Sequence, residues 1–274
     1  MKAVCQICPK HCALQEGELG FCRARVNRGG VVVSENYGRV TSLALDPIEK
    51  KPLRRFYPGS MILSVGSYGC NMDCDYCQNS FIARADATTA WEKISPESLV
   101  ALTRESRAQG NIGIAFTYNE PLVGYEFVLD TACLAKENGL KTVLVTNGMI
   151  QAEPWARLLP YIDAANIDLK AFTGEGYRTL GGDLEMVKQS ISSAAGRIHL
   201  ELTTLIVPGF NDSEQEMRDE VAWIASLVPT IPLHLSRFFP RHRMREAPAT
   251  PPETLVRLAK IAREKLDFVY MGNL

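Results

Sequence analysis

The sequence lacks an excess of charge of either sign, a long apolar run and a secretory leader. It holds 30 Lys and Arg against 31 Asp and Glu, and this formal net charge of −1 gives no general attraction to nucleic acid or to an anionic membrane. No apolar stretch approaches the roughly 20 residues that a membrane helix needs. Residues 1–12 lack the basic and then apolar segments of a signal peptide. These absences predict a cytoplasmic protein that neither inserts into membranes nor binds nucleic acid through its overall charge.

Cysteine is nearly absent after residue 77, where only Cys133 occurs, although the chain has eight cysteines. The other seven lie in the first 77 residues, in two groups. Because cytoplasmic thiols stay reduced, such close spacing favours metal binding over disulfides. The distribution therefore predicts a metal site in each group.

Short apolar runs alternate with segments of helical spacing from residue 61 onward. The predicted strands are Ile62–Val65, Ile112–Phe116, Thr142–Val145, Ala165–Leu169, Ile198–Leu205 and Ile231–Leu235. The predicted helices include Glu97–Arg107, Glu126–Lys136, Glu185–Ala195, Glu214–Leu227 and Glu253–Lys265. Strands that alternate with helices imply parallel βαβ units. About six units predict an α/β fold, a partial (β/α)6 TIM-like barrel, because closure of such a barrel needs eight.

The start of the chain differs from this repeating pattern. Residues 1–30 carry cysteine and glycine with little apolar periodicity, which predicts a small metal-binding lobe. Residues 31–45 have β-branched runs on either side of residues 35–38, a pattern that predicts a β-hairpin. The predicted domains are thus a Cys-rich lobe with its hairpin at 1–55 and the partial-barrel core at 56–274.

Three cysteines follow the first predicted strand of the barrel: Cys70, Cys74 and Cys77. A closed zinc site or a fully ligated [4Fe–4S] cluster needs four protein ligands. Three thiolates within one short loop predict a [4Fe–4S] cluster with one iron free of protein, and chemistry takes place at such an open position. The alternative is a zinc site that takes a distant fourth ligand.

Polar residues follow the other predicted strands, at the edge where active sites of parallel α/β folds lie. They occur as TYNEP at residues 117–121, TNG at residues 146–148 and DLK at residues 168–170. The last two strands add polar residues that are expected to line the substrate end of the cavity: His199, Glu201, Thr203, Thr204, His234, Ser236 and Arg237. The sequence therefore predicts one functional rim.

The CxxxCxxC loop, with an aromatic residue before its last cysteine, resembles the signature of the radical S-adenosylmethionine (SAM) superfamily. The resemblance implies that Cys70, Cys74 and Cys77 ligate a [4Fe–4S] cluster whose open iron chelates the amino and carboxylate groups of SAM. It also implies that the backbone near Tyr76 faces the adenine. Reductive cleavage of SAM would then give a 5′-deoxyadenosyl radical that abstracts hydrogen from a substrate.

The motif at residues 117–121 resembles the Gly-Gly-Glu-Pro motif of this superfamily, which binds the SAM amino group. The resemblance assigns cofactor binding to Asn119 and Glu120, although the two glycines are absent. A second interpretation is a helix start with Asn119 as its N-cap. Both interpretations are compatible, because the first turn of a helix also binds ligands.

Two further motifs resemble those of glycyl-radical-enzyme activases, the pyruvate formate-lyase activating enzyme-like group. Thr146 and Asn147 match a strand-end Thr-Asn-Gly, and Asp168 and Lys170 match an Asp-Leu-Lys whose lysine meets the SAM carboxylate. The resemblance thus implies that these four residues bind the cofactor. Two departures are visible, because Val145 replaces an acid, and Phe239 stands near the place of a histidine after the last strand.

The first group of cysteines consists of Cys5, Cys8, Cys12 and Cys22, spaced C-x2-C-x3-C-x9-C. Four thiolates can close a tetrahedral zinc site or fully ligate a [4Fe–4S] cluster, and the spacing does not choose between them. Since a closed site offers no open position, we expect a structural or an electron-relaying role.

Longer phrases resemble one branch, the radical SAM enzymes of the AmmeMemoRadiSam system: CPKHC, GELGFCRARVNRGG, DPIEKKPLRRFYPGS, SYGCNMDCDYCQN, TTLIVPGFNDS, HLSRFFP and VYMGN. They span almost the whole chain. The expected partners are Memo-like and AMMECR-like proteins, together with a flavodoxin- or ferredoxin-type electron donor. Members of the branch commonly continue beyond this point into a further cysteine-bearing tail.

The leading hypothesis is an oxidoreductase that cleaves SAM and abstracts hydrogen from a protein glycine, from a small molecule or from RNA. A basic run would serve RNA, although a solvated loop is the plainer explanation: Arg237, Arg241, His242, Arg243 and Arg245. A second hypothesis is a non-enzymatic interaction module with zinc in both cysteine groups. A third, an electron carrier, fits the four N-terminal cysteines but not the loop of three.

Overall fold

The computed structural model describes residues 1–273. The strands are β1 (Ala3–Val4), β2 (Ala13–Leu14), β3 (Arg25–Arg28), β4 (Val31–Ser34), β5 (Arg39–Val40), β6 (Ser42–Pro47), β7 (Met61–Gly66), β8 (Glu92–Lys93), β9 (Asn111–Phe116), β10 (Lys141–Thr146), β11 (Ala164–Asp168), β12 (His199–Ile206), β13 (Leu233–Arg237) and β14 (Val269–Gly272). The helices are α1 (Ser80–Ala83), α2 (Pro96–Glu105), α3 (Tyr125–Glu137), α4 (Ala152–Leu158), α5 (Gly174–Thr179), α6 (Leu184–Ala194), α7 (Glu214–Leu227) and α8 (Pro252–Ala262).

Eight strands form one sheet in the order β14-β13-β12-β11-β10-β9-β7-β6. All neighbours in it run parallel except β6, which is antiparallel to β7. At least one helix follows each parallel strand from β7 to β13, which gives six strand–helix units. This confirms the predicted α/β class and the partial barrel. Strand β14 is a seventh parallel strand that the apolar pattern did not predict.

Side-chain caps fix the starts of several helices. Ser95, Asp183 and Ser213 precede α2, α6 and α7, and each side chain accepts a hydrogen bond from a backbone N–H in the first turn. Such a bond satisfies one of the N–H groups that a helix start leaves unpaired. The apolar faces of these helices are buried against the sheet, which places the strand ends and their loops.

A floor segment, residues 48–56, fills the amino-terminal end of the barrel. Its Ile48, Leu53 and Phe56 are buried against alanine, valine and isoleucine side chains of strands β7, β9, β10 and β11. On the other side of the barrel, Arg55 lies 3.6 Å from the ring centroid of Phe268, just before β14. Side chains of the floor segment therefore fill the amino-terminal end of the barrel.

Buried Glu201 fastens the floor segment to the sheet. Its carboxylate accepts hydrogen bonds from the backbone N–H groups of Arg54 at 3.0 Å and Arg55 at 2.8 Å. The same carboxylate lies 2.8 Å from His199 Nε2 and 2.6 Å from His234 Nε2. The prediction that these three residues line the substrate end was wrong. Alternation along a strand predicts the face of the sheet on which a residue lies, but not its distance from the rim. These three residues lie near the amino ends of β12 and β13, at the opposite end of the strands from the rim.

Two more residues assigned to the substrate end have their side chains occupied elsewhere. Thr203 donates to Asn166 Oδ1 at 2.8 Å, and Thr204 donates to Glu220 Oε1 at 2.5 Å. Glu220 belongs to helix α7, so Thr204 points to the helix layer and away from the barrel interior. For Thr204 the predicted substrate contact was therefore also wrong.

The hairpin predicted over residues 31–45 is displaced toward the N-terminus. Strand β4 pairs with β3, whereas β5 pairs with β8 and β6 pairs with β7. The two-residue turn consists of Gly29 and Gly30, with φ of 62° and 85°. Glycine adopts positive φ without a steric penalty, so Gly-Gly is a stronger hairpin signal than residues 35–38. The domain division at residue 55 stays a prediction.

The N-terminal lobe, residues 1–30, is seated on the carboxyl-terminal rim of the barrel. Lys10 Nζ donates to the carbonyl oxygen of Gly181 at 2.8 Å, and the N–H of Gln151 donates to the carbonyl oxygen of Ile7 at 2.8 Å. The lobe thus contacts the loops that follow β10 and β11. Within residues 1–273, helices of the length and apolarity required for a membrane span are absent.

Candidate active site

The cysteine loop, residues 70–77, lies just beyond the carboxyl end of β7. Cys70 Sγ accepts hydrogen bonds from the N–H of Met72 at 3.4 Å and from Asn147 Nδ2 at 3.7 Å. The N–H of Cys77 donates to the carbonyl oxygen of Cys74 at 3.1 Å, which folds the loop back on itself. N–H groups directed at a cysteine sulfur are typical of iron–sulfur sites, where they tune the cluster.

Burial raises the pKa of every thiol in the cysteine loop. The pKa of Cys70 lies well above its usual range, that of Cys74 is about 11, and that of Cys77 is raised as well. The positive charge of Lys170 opposes this effect and lowers the pKa of all three thiols, because a nearby cation favours the thiolate. A coordinated metal would complete the deprotonation.

Lys170 is fixed after β11 by its own neighbours. Its Nζ donates to Asp168 Oδ2 at 2.9 Å, and its backbone N–H donates to Tyr177 Oη at 3.1 Å. Burial disfavours the charged lysine, but the Asp168 carboxylate and the Cys74 thiolate outweigh it and hold the pKa of Lys170 well above its ordinary value. The rim therefore presents a permanent cation beside the cysteine loop.

Glu120 lies after β9 and accepts three hydrogen bonds. The donors are the N–H of Leu122 at 3.0 Å, Thr146 Oγ1 at 2.7 Å and the N–H of Asn147 at 2.8 Å. Burial raises the pKa of Glu120 to about 7, although these hydrogen bonds oppose the shift. The structure thus brings the second and third rim motifs together around one carboxylate.

Glu120 also caps the short 3₁₀-helix Pro121–Gly124, so the interpretation of Asn119 as the N-cap was wrong. The Asn119 side chain instead braces the chain that enters the cysteine loop. Its Oδ1 accepts from the N–H of Ser67 at 2.9 Å, and its Nδ2 donates to the carbonyl oxygen of Gly69 at 3.1 Å. Cofactor binding by Asn119 stays a prediction.

Asn71 was not predicted and lies at the centre of the site. Asn147 Nδ2 donates to Asn71 Oδ1 at 2.8 Å, and Asn71 Nδ2 donates to the carbonyl oxygen of Met149 at 2.8 Å. These bonds tie the cysteine loop to the loop after β10. The only signal in the sequence was its place next to Cys70, inside the motif.

Tyr76 carries a buried hydroxyl without a hydrogen-bond partner. Its ring centroid lies 6.0 Å from that of Phe210, and the charges of Cys74 and Lys170 act on its pKa, which burial raises well above the usual range. Leaving a buried polar group unpaired costs roughly 1–3 kcal/mol, so its occurrence beside the rim marks a place where a polar ligand would bind.

The residues at the rim fit the groups that the motifs imply. Three thiols of one loop supply the ligands of a [4Fe–4S] cluster, and a fixed lysine and a buried carboxylate can pair with the carboxylate and amino groups of SAM. No three Cys, His, Asp or Glu side chains within residues 1–273 are arranged to hold a single metal ion.

The loop after β13 folds over the cysteine loop. Arg243 forms ion pairs with Asp75 at 2.9 Å and Asp73 at 3.2 Å, and its backbone N–H donates to the carbonyl oxygen of Asp75 at 2.9 Å. Arg237 Nε donates to the carbonyl oxygen of Thr250 at 2.6 Å. Two members of the predicted basic run therefore have partners within the chain.

The four N-terminal cysteines are brought together. Cys5, Cys8, Cys12 and Cys22 line one small pocket in the lobe, and Asn71 of the cysteine loop lines it as well. The pocket and the rim thus share a wall. Metal binding by these cysteines stays a prediction.

A parallel α/β sheet whose first strand leads into a three-cysteine loop, faced by a buried carboxylate and a lysine, defines a class of enzymes that bind a cluster through three thiolates. The chain belongs to the Radical SAM superfamily, whose sequence profile matches residues 64–221. Membership makes it an enzyme of a family that uses SAM and a [4Fe–4S] cluster.

Individual relatives agree with this assignment. An uncharacterised protein of Methanocaldococcus jannaschii is 40% identical over 99% of this chain and 81% of its own length. A probable GTP 3′,8-cyclase of Methanosarcina mazei is 31% identical over 55% of this chain and 47% of its own length. The pyruvate formate-lyase-activating enzyme of Clostridium pasteurianum is 25% identical over 73% of this chain and 89% of its own length.

A solved structure shares the fold. A domain of the pyruvate-formate lyase-activating enzyme of Bacteroides vulgatus superposes with a TM-score of 0.51 at 20% identity, over 59% of this chain and 99% of that domain. Together with the family match and the relative from Clostridium pasteurianum, this shared fold confirms the resemblance to pyruvate formate-lyase activating enzyme-like proteins.

Proposed function

We propose that the chain reductively cleaves SAM at a [4Fe–4S] cluster ligated by Cys70, Cys74 and Cys77, and that a hydrogen atom is then abstracted from a substrate. The observation that carries the proposal is the cysteine loop at the rim beside the half-buried Lys170–Asp168 pair. When bound, the cluster supplies the electron that breaks the C5′–S bond of SAM, which releases methionine and leaves a 5′-deoxyadenosyl radical.

The chain's own residues would bind and orient the sulfonium nucleotide. Lys170 pairs with its carboxylate, and Glu120 accepts hydrogen bonds from its amino group. Thr146 and Asn147 keep the Glu120 carboxylate in place, and the Tyr76 hydroxyl offers a further hydrogen bond near the adenine. The cation beside the thiolates also favours the reduced, more negative state of the site.

Reconstitution tests this function. Protein reconstituted anaerobically with iron and sulfide and reduced with dithionite should convert SAM to 5′-deoxyadenosine and methionine. Cys74→Ala should lower that rate at least about 100-fold, because one of three ligands is lost. Cys133→Ser, on helix α3, is the matched control and should keep the rate. A reconstituted protein that leaves SAM intact would overturn the proposal.

The proposed substrate is a glycine of a partner protein, as for an activating enzyme. The support is the likeness to a pyruvate formate-lyase-activating enzyme over 89% of that relative. A glycyl radical detected by EPR in a partner after incubation with SAM would establish it. The second candidate is a small molecule, favoured by the likeness to a probable GTP 3′,8-cyclase. Deuterium transfer from a labelled nucleotide into 5′-deoxyadenosine would then be seen.

The proposed electron donor is a protein of flavodoxin or ferredoxin type, and the proposed partners are Memo-like and AMMECR-like proteins. The support for these partners is the resemblance of the sequence phrases to the AmmeMemoRadiSam system. The proposed location is the cytoplasm, where thiols stay reduced. Co-purification from anaerobic cells, compared with Cys133→Ser as bait, measures these associations.

A further inference from the structure

Two exposed phenylalanine rings lie beside the cysteine loop. Phe81 is 73% exposed and belongs to helix α1, which begins three residues after Cys77. Phe21 is 37% exposed and belongs to the N-terminal lobe. Single exposed apolar side chains are ordinary on a protein surface, but aromatic residues together with arginine are enriched where proteins bind one another. We therefore looked at what surrounds the two rings.

Arg84 joins the two rings into one surface. Its guanidinium carbon lies 5.0 Å from the ring centroid of Phe21. Phe81 precedes Arg84 by three residues at the end of α1, and residues three apart lie on the same side of a helix. Lys10 Nζ lies 4.0 Å from the same Phe21 centroid. Arg23 adds to this surface, because its Nη1 donates to the carbonyl oxygen of Arg84 at 2.6 Å.

We call this surface the Phe21–Phe81 face, and it consists of Lys10, Phe21, Arg23, Phe81 and Arg84. Its three charged members are all cations.

Positive charge is in excess around this face, although the whole chain has a formal net charge of −1. The acidic side chains that interact with its cations are Asp73 and Asp86. Asp73 is also shared with Arg243, which lies 3.2 Å away. Such a local excess of one sign attracts a partner of the opposite sign and speeds its approach. The face therefore suits a protein with an acidic surface.

The face is in direct contact with the cysteine loop. Arg84 Nε lies 3.4 Å from Asp73 Oδ1, and Arg84 Nη1 donates to the carbonyl oxygen of Met72 at 3.4 Å. The N–H of Met72 in turn donates to Cys70 Sγ at 3.4 Å. One residue thus connects the face to the first thiol of the loop, so a protein seated there is brought close to the proposed cluster.

We propose that the Phe21–Phe81 face is the docking site of an acidic electron-donor protein of flavodoxin or ferredoxin type. The inference rests on the proposed function, because reductive cleavage of SAM consumes one electron. Redox partners form small and transient interfaces, in which opposite charges guide the encounter and a few aromatic or arginine side chains supply the contact. The face provides both kinds of side chain beside the site that must be reduced.

The electron count balances with this one partner. The reduced donor loses one electron, and the cluster proposed for the cysteine loop gains it. The transfer makes or breaks no bond and moves no proton.

Two reductants separate docking from SAM chemistry. In reconstituted protein at low salt, Arg23→Glu and Phe81→Ser should each lower the second-order rate constant of reduction by flavodoxin roughly 10-fold, as measured by anaerobic stopped-flow absorbance. Cleavage of SAM driven by dithionite, a small reductant that needs no docking site, should stay at the wild-type rate in both variants.

The matched controls are Lys265→Glu, which makes the same change of charge, and Tyr57→Ser, which removes another exposed aromatic ring. Both residues lie toward the amino-terminal end of the barrel, away from the cysteine loop, and both variants should be reduced by flavodoxin at the wild-type rate. Salt gives a second measurement. Raising the ionic strength should slow reduction of the wild type by flavodoxin and should not slow that of Arg23→Glu, because the attraction that salt screens is already lost.

Wild-type rates of reduction by flavodoxin in both Arg23→Glu and Phe81→Ser would overturn the inference and would leave the face to a substrate protein. A wild type that dithionite reduces and flavodoxin does not would overturn it as well. Failure of the proposed function would instead appear as SAM left intact by dithionite-reduced wild type.

Discussion

Glu120 is a buried carboxyl held at the rim by three hydrogen bonds, so its effect on a cationic ligand can be isolated with an isosteric change. Glu120→Gln should weaken SAM binding by roughly 10- to 100-fold, since a charged hydrogen bond contributes about 1.5–3 kcal/mol. Equilibrium binding to reconstituted, unreduced protein measures this. Glu253→Gln, an exposed site on α8, serves as the control. Equal affinity in Glu120→Gln would remove Glu120 from the SAM site.

Glu220 is a buried carboxyl away from the rim whose titration should change the stability of the fold. Burial raises its pKa from 4.5 to about 8, although Thr204 donates a hydrogen bond to it. Between these two pKa values the folded chain binds more protons than the unfolded chain, so the free energy of unfolding falls as pH rises.

Glu220→Gln should therefore abolish this loss. Relative to the variant, the wild type should lose a few kcal/mol between about pH 5 and pH 8, because each pKa unit corresponds to about 1.4 kcal/mol. Urea unfolding at several pH values measures the difference, and Glu253→Gln should follow the wild type. Parallel curves for wild type and Glu220→Gln would show that Glu220 is ionised when folded.

Residues whose side-chain type already indicates what they bind could be predicted from the sequence one at a time. Cys70, Glu120 and Lys170 stand in short motifs after strands, and the structure brings all three to one rim. Asn71 could not be found in this way, because an amide has no fixed chemistry and its role depends on contacts with Asn147 and Met149 that lie far along the chain.

At the scale of elements, the floor segment depends on one carboxylate. The two histidines and two backbone N–H groups around Glu201 lower its pKa to about 2 despite burial, so its stabilising charge is present above about pH 4.5 and is lost as pH falls toward 2. Glu201→Gln at neutral pH should lower the free energy of unfolding by about 2–4 kcal/mol, because the buried groups around Glu201 lose the carboxylate that they bind.

Urea unfolding measures that loss, and the rate of SAM cleavage per folded molecule should stay within about twofold of wild type, because the site is at the opposite end of the strands. Glu253→Gln again controls for loss of a glutamate. Unchanged stability together with a large loss of SAM cleavage would restore Glu201 to the substrate end.

The loop after β13 is expected to secure the cysteine loop through Arg243. Arg243→Ala removes the ion pairs with Asp73 and Asp75, so a chelator should extract iron from the holoprotein a few times faster. Absorbance decay under anaerobic conditions gives the rate. Arg245→Ala, whose side chain binds only its own loop, should match wild type. Because exposed ion pairs are screened by salt, high salt should raise the rate of iron loss from the wild type to that of Arg243→Ala. If neither the variant nor high salt speeds iron loss, Arg243 does not secure the cysteine loop.

Helices and strands with a strong apolar periodicity were predictable, whereas short strands that form only by pairing with a neighbouring strand were not. Helix α7 has the predicted bounds, Glu214–Leu227, because its apolar spacing is regular and Ser213 caps it. Strand β14 is four residues long and only its first residue is buried, so it carries no apolar run of its own and is formed by pairing with β13. The same holds for the short β5 and β8, which pair with each other.

For the molecule as a whole, iron should act as a structural ligand. Metal that binds only the folded chain adds to stability by mass action, so removal of iron should lower the thermal midpoint by several degrees. Anaerobic thermal unfolding before and after chelation measures the shift. Cys133→Ser should show the same shift as wild type, since it leaves both cysteine groups intact. An identical midpoint with and without iron would show that the scaffold is complete before the metal binds.

The sheet begins at β14 and ends at β6, and within residues 1–273 these two outer strands are not paired with each other. Near the floor, however, Arg55 meets Phe268, and Arg54 lies 5.9 Å from the ring centroid of Tyr270. The barrel is therefore open between its two outer strands and held together near its amino-terminal end. Its carboxyl-terminal end can widen without breaking any hydrogen bond between strands. We therefore expect the flanking loops, and not the number of strands, to limit the size of an admitted substrate.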